Sequence, residues 1–95
     1  MFLTFKGFLN SKFARMLSEE ELSGLYFLTK IFPFKTSRYI LEELIDWQHR
    51  DSDPIYRLVF PRPEMLEKQH WQLLKSAKTF AEEKEAAQKI RNTNL

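Results

Sequence analysis

Asp46, His49, Asp51 and Asp53 fall close together with Arg50 among them. Carboxylates and imidazoles are the ordinary ligands of divalent ions, so this is the first place to look for chemistry. The spacing matches no recognised ligand set, and a guanidinium in the middle opposes a cation. Polar runs of this kind commonly mark loops, and the segment reads as a solvated turn. Glu19, Glu20 and Glu21 could serve as paired acids and bases. They also follow Ser18, and Ser-x-x-Glu is a capping box whose acids suit the positive end of a helix dipole. His70 has no carboxylate or nucleophile at a useful spacing and reads as a hydrogen-bonded or edge histidine. No catalytic, cofactor-binding or metal-ligating residue is therefore assigned.

Composition narrows the classes further. The chain has 95 residues, no cysteine, nine Phe, three Tyr and two Trp. No disulfide, thiolate zinc site or iron–sulfur cluster can rest on these residues alone. The aromatic content is ample for a packed core. Fifteen basic against thirteen acidic residues give a formal charge of +2, too little to favour nucleic acid as a partner. No apolar run approaches the roughly 18–20 residues of a membrane-spanning helix. The start is basic and apolar, but Lys6 interrupts it and no small-residue cleavage site follows, so a cytoplasmic location is expected.

The elements that must position these residues read as helices. Residues 1–17 carry Phe2, Phe5, Leu9, Phe13, Met16 and Leu17 at helical steps, an amphipathic segment with its weak point at Gly7. A helix is expected from Glu19 to about Ile31, with Leu22, Leu25, Leu28 and Phe32 as its buried stripe. Phe32-Pro33 ends it. Thr36 or Ser37 caps a second helix running to about Trp47, and residues 18–48 form an antiparallel hairpin. Residues 49–63 hold three of the four prolines and read as an extended linker that packs over the hairpin through Ile55, Leu58 and Phe60. Residues 64–91 form a C-terminal helical region with Pro63 in its first turn. Its stripe is Leu66, His70, Leu73, Leu74, Ala77 and Phe80. Thr79-x-x-Glu82 is a second capping box that breaks it, and Phe80, Ala87 and Ile90 anchor the restarted helix. The expected architecture is all-α, a single domain of four or five helices, and Asn92 to Leu95 read as the start of a connection.

The wording of the middle and end of the chain resembles the N-terminal region of the lysine 2,3-aminomutase family of radical-SAM enzymes. Phe32-Pro33-Phe34-Lys35, Arg38-Tyr39 and Leu44-Ile45-Asp46 match one part. Asp53-Pro54-Ile55, Arg57, Phe60-Pro61 and Met65-Leu66 match the family's linker, and Ala87, Ile90-Arg91 and Asn94-Leu95 the helix after it. The resemblance implies a parent enzyme whose α/β barrel carries an iron–sulfur cluster, S-adenosylmethionine and usually pyridoxal phosphate, and in which an amino group migrates between adjacent carbons. Neither the cluster's Cys-x-x-x-Cys-x-x-Cys loop nor the pyridoxal lysine lies here, so no functional residue of the family maps onto a numbered position. The expected role is a non-catalytic helical scaffold. Its partners would be the remainder of the enzyme or a neighbouring subunit, and homo-oligomer formation goes with such a role. The other class is a free-standing helical interaction module that grips a partner helix or an anionic surface.

Overall fold

Ser18 opens the helix on which both halves of the molecule are built. Its hydroxyl accepts from the Glu21 N–H (3.0 Å) and the Glu21 carboxylate accepts from the Ser18 N–H (2.9 Å), the reciprocal box read from the sequence. In the computed structural model, which describes residues 2–93, this helix, α2, spans Glu19–Leu28. Leu25 on α2 belongs to one buried cluster and Leu28 to another, so one helix forms the shared wall of two cores.

The first core is aromatic. Phe8, Phe34, Trp47 and Phe60 are buried with Ala14, Leu17, Leu41 and Ile45 around them. Phe60 lies 5.2 Å from Phe8, 5.1 Å from Phe34 and 4.5 Å from Tyr56, ring centre to ring centre. Edge-to-face and stacked pairs at these distances add to what burial alone contributes. Leu66, Leu74, Ala86, Ala87 and Ile90 close the second core against Leu28 and Ile31.

The N-terminal segment is not one helix. Strand β1 (Phe2–Leu3) pairs antiparallel with β2 (Thr36–Ser37), helix α1 follows at Phe5–Leu9, and a 3₁₀ turn covers Lys12–Met16. Gly7 is no weak point. A Cβ there would sit 3.2 Å from the Leu3 side chain, so glycine lets β1 lie close over α1. The breaks shift the register: Phe8, absent from the expected stripe, is fully buried, while Phe2, Leu9 and Met16 are exposed.

The second helix, expected to run to about Trp47, is shorter than that. The Ser37 hydroxyl does cap it, accepting from the Ile40 N–H (3.2 Å), whereas Thr36 is buried in β2 with its hydroxyl unpartnered among the described residues. The helix widens into a π turn at Ile40–Leu44 and stops three residues before Trp47. The indole Nε1–H of Trp47 donates to the freed Leu41 carbonyl (2.8 Å), so the wide turn and the buried ring satisfy one another. Trp47–Ser52 is then a 3₁₀ segment.

The proline-bearing stretch is a helix where an extended linker was expected. Helix α3 spans Pro54–Val59, with Asp53 as N-cap and Pro54 in the first turn. Asp-Pro is a turn start, but it is equally an N-cap followed by a favoured first helical residue, and here the second reading holds. Ile55 and Phe60 face the core as expected, whereas Leu58 is 83% exposed because the helical step turns it outward.

Pro63 opens a 3₁₀ turn, Pro63–Met65, ahead of helix α4 (Lys68–Ser76). The chain breaks where the second capping box placed the break, and helix α5 spans Phe80–Arg91. The Thr79 hydroxyl accepts from the Glu82 N–H (3.1 Å), while the Glu82 carboxylate accepts from Lys78 N–H (2.6 Å) instead of from Thr79. Ala87 and Ile90 anchor α5 as expected, Ala86 joins them, and Phe80 is exposed. Thr79→Ala should cost about 1 kcal/mol in urea denaturation, the usual worth of an N-cap; an unchanged midpoint would show that α5 starts without it. The fold is mainly α, with more and shorter helical segments than the four or five expected. The match expected at Asn94-Leu95 lies outside the described residues.

Candidate functional site

The two cores leave a cleft of about 460 Å³ along their shared helix. Leu25 and Leu28 of α2 line it together with Leu17, and Pro61 and Pro63 add apolar surface from the turn ahead of α4. Its polar lining comes from three places: Glu21 on α2, Asp51 in the 3₁₀ segment, and Tyr56, Arg57, Arg62 and Glu64 on and after α3.

One ion pair ties these elements together. Arg50 donates from Nε to Glu21 Oε2 (3.1 Å) and from Nη2 to Oε1 (2.8 Å), a bidentate fork, while Nη1 donates to the Trp47 carbonyl (3.0 Å). Glu21 thus serves the start of α2 and the 3₁₀ segment at once. The Arg50 hydrogen bonds, with those from Ser18, hold its carboxyl below the usual range against the opposing effect of burial. The same bonds raise the Arg50 guanidinium. Burial, reinforced by the Glu21 charge, pushes the Tyr56 phenol up to about 12.

Near neutral pH these shifts leave Glu21 ionised, Arg50 charged and Tyr56 protonated. None is poised to exchange a proton, which a general acid or base must do. Among the described residues, Arg57 lies at the cleft wall outside any ion pair and the buried Nε of Arg62 has no hydrogen-bond acceptor.

The polar residues singled out from the sequence do other work. Asp53 Oδ2 accepts from the N–H groups of Asp46 and Tyr56 (3.2 Å each), so it caps α3 and pins the preceding turn. Asp46 Oδ2 meets His49 Nδ1 at 3.0 Å. Asp51 is exposed and lines the cleft. Among the described residues no cluster of three or more His, Cys, Asp or Glu side chains is placed to hold a metal ion. His70 Nδ1 accepts from the Glu67 N–H (3.1 Å), an N-terminal capping bond of α4. The cleft residues themselves were not found by spacing. Glu21 and Arg50 stand 29 positions apart, and no local pattern joins them to Tyr56, Arg57 or Arg62.

No family model matches the chain, and neither does any curated protein or solved structure.

Proposed function

We propose that the chain is a helical scaffold and docking module that carries out no chemistry itself, the N-terminal region of a lysine 2,3-aminomutase-like radical-SAM enzyme. The observation that carries this reading is where the resembling residues sit. Phe34, Ile45 and Phe60 are buried in the first core, and Asp53 caps α3. Those residues make the shape of the first core and its turns, so the resemblance speaks for a shared scaffold and carries no reactive group with it.

On this reading the iron–sulfur cluster, S-adenosylmethionine and pyridoxal phosphate belong to the parent barrel. With no cysteine, the chain lacks the thiolates that hold such a cluster. The cleft along α2 would receive a segment of the barrel or of a neighbouring subunit, with its apolar floor covered and a carboxylate brought to the exposed Arg57. A cytoplasmic location goes with that role. Among the described residues no helix is long and apolar enough to cross a membrane.

The test is co-expression with a lysine 2,3-aminomutase barrel from which its own N-terminal region has been removed. Co-purification is expected, with iron and pyridoxal phosphate on the barrel alone, and Arg57→Ala should weaken the association. A chain that elutes apart from the barrel would overturn the proposal. The second reading, a free-standing interaction module, is favoured by the exposed Phe2, Tyr39 and Leu58, which present large apolar side chains outside either core.

A further inference from the structure

Helix α5 carries a second surface that flanks its buried face and shares Ala87 with it. Phe80, Lys84, Ala87, Gln88 and Arg91 line a shallow groove with Lys30, which comes from the turn after α2. These α5 positions recur at helical steps and so form one stripe. Lys84 and Arg91 are separated by seven residues, about 10 Å along the axis.

The charge of this groove is one-sided. No carboxylate lines it, and neither Lys30, Lys84 nor Arg91 is in an ion pair among the described residues. Glu83 stands at its edge, where its carboxylate accepts the Tyr26 hydroxyl (2.7 Å). Lys30 Nζ sits 4.5 Å from the ring centres of both Tyr26 and Phe80, and Lys84 Nζ lies 5.9 Å from Phe80. Cation–π contacts thus hold two ammonium groups beside an exposed aromatic ring.

We infer that this groove docks an acidic polypeptide segment, whose carboxylates meet Lys30, Lys84 and Arg91 while an apolar side chain lies against Phe80. Charge complementarity fixes the sign of the partner. A nucleic acid is disfavoured because the Lys30 ammonium already covers a face of Phe80 on which a base would stack, and the chain's net charge is only +2. A lipid surface is disfavoured because a membrane-lying helix needs a broad apolar face, and Phe80 is the one large apolar side chain in this groove. The inference is independent of the enzyme resemblance, and its failure would leave the scaffold reading untouched.

Fluorescence anisotropy with a labelled synthetic peptide of glutamate and leucine tests it on the whole chain. The double variant Lys84→Glu, Arg91→Glu should bind about tenfold more weakly, as expected for two exposed pairs each lost and reversed. Lys6→Glu with Lys68→Glu makes the same change in net charge elsewhere and should bind as the parent does. Far-UV circular dichroism checks that α5 survives; if the reversal unfolds it, Lys84→Gln with Arg91→Gln takes its place and should show a smaller loss in the same direction. Equal losses in the two double variants would overturn the inference, since they would report net charge alone. So would tighter binding of an oligouridine or of phosphatidylserine vesicles than of the peptide, lost in the same α5 variant.

Discussion

Phe60→Ala is expected to cost about 3–5 kcal/mol in urea denaturation, the range for deleting a buried aromatic side chain. Phe60 is 1% exposed and its ring lies against Phe8, Phe34, Trp47 and Tyr56, so its removal opens a cavity that four other rings cannot easily fill. Small domains hold about 5–15 kcal/mol in all, and a loss of this size leaves a chain of this length close to unfolded at ordinary temperature. Leu58→Ala, two residues away, should fall within about 0.5 kcal/mol of the parent because its side chain is in solvent. The contrast tests the helix directly. An extended strand would put residues 58 and 60 on the same face, so comparable losses at both positions would contradict the helical assignment of Pro54–Val59.

Glu21 carries the second large effect. Glu21→Ala should cost about 2 kcal/mol, one part from the lost capping box and one from the lost, partly exposed fork to Arg50. The pH dependence isolates the charge. Because its carboxyl is held below its ordinary value of 4.5 in the folded state, Glu21 contributes stability that is fully present above that value and is lost as pH falls through the depressed folded one. The gap in urea midpoint between the parent and Glu21→Gln should therefore be level from neutral pH to about 5 and shrink below it. A gap unchanged well into acid would mean that the charged fork contributes nothing. At the alkaline end the sign reverses. Tyr56 is raised from 10.0 to about 12, so its contribution is present below the lower value and is lost across that interval.

Much of the helical content was legible because its signals are local. Ser18-x-x-Glu21 and Thr79-x-x-Glu82 placed two helix starts, whereas α2 ends at Leu28, short of the Ile31 expected and well before Pro33. Where the reading slipped, a local signal had two solutions. Asp53-Pro54 is a turn start or a capped helix start, and the choice rests on burying Phe60 among rings that come from residues 8, 34 and 47. The N-terminal stripe failed for a similar reason. Leu3 is drawn into pairing with Thr36, which ends the helical register before it begins and turns Phe8, not Leu9, to the core.

The sequence by itself determined a mainly helical chain, the starts of α2 and α5, and a cysteine-free composition that holds no thiolate-ligated centre. It did so because capping, proline and composition act within a few residues of one another. Only the tertiary structure decided that α2 divides two cores, that a cleft lined by Glu21, Tyr56, Arg57 and Arg62 runs along it, and that Arg50 reaches Glu21. Those contacts join residues tens of positions apart, and they are selected by which side chains the packed cores leave uncovered, a property that no stretch of sequence carries alone.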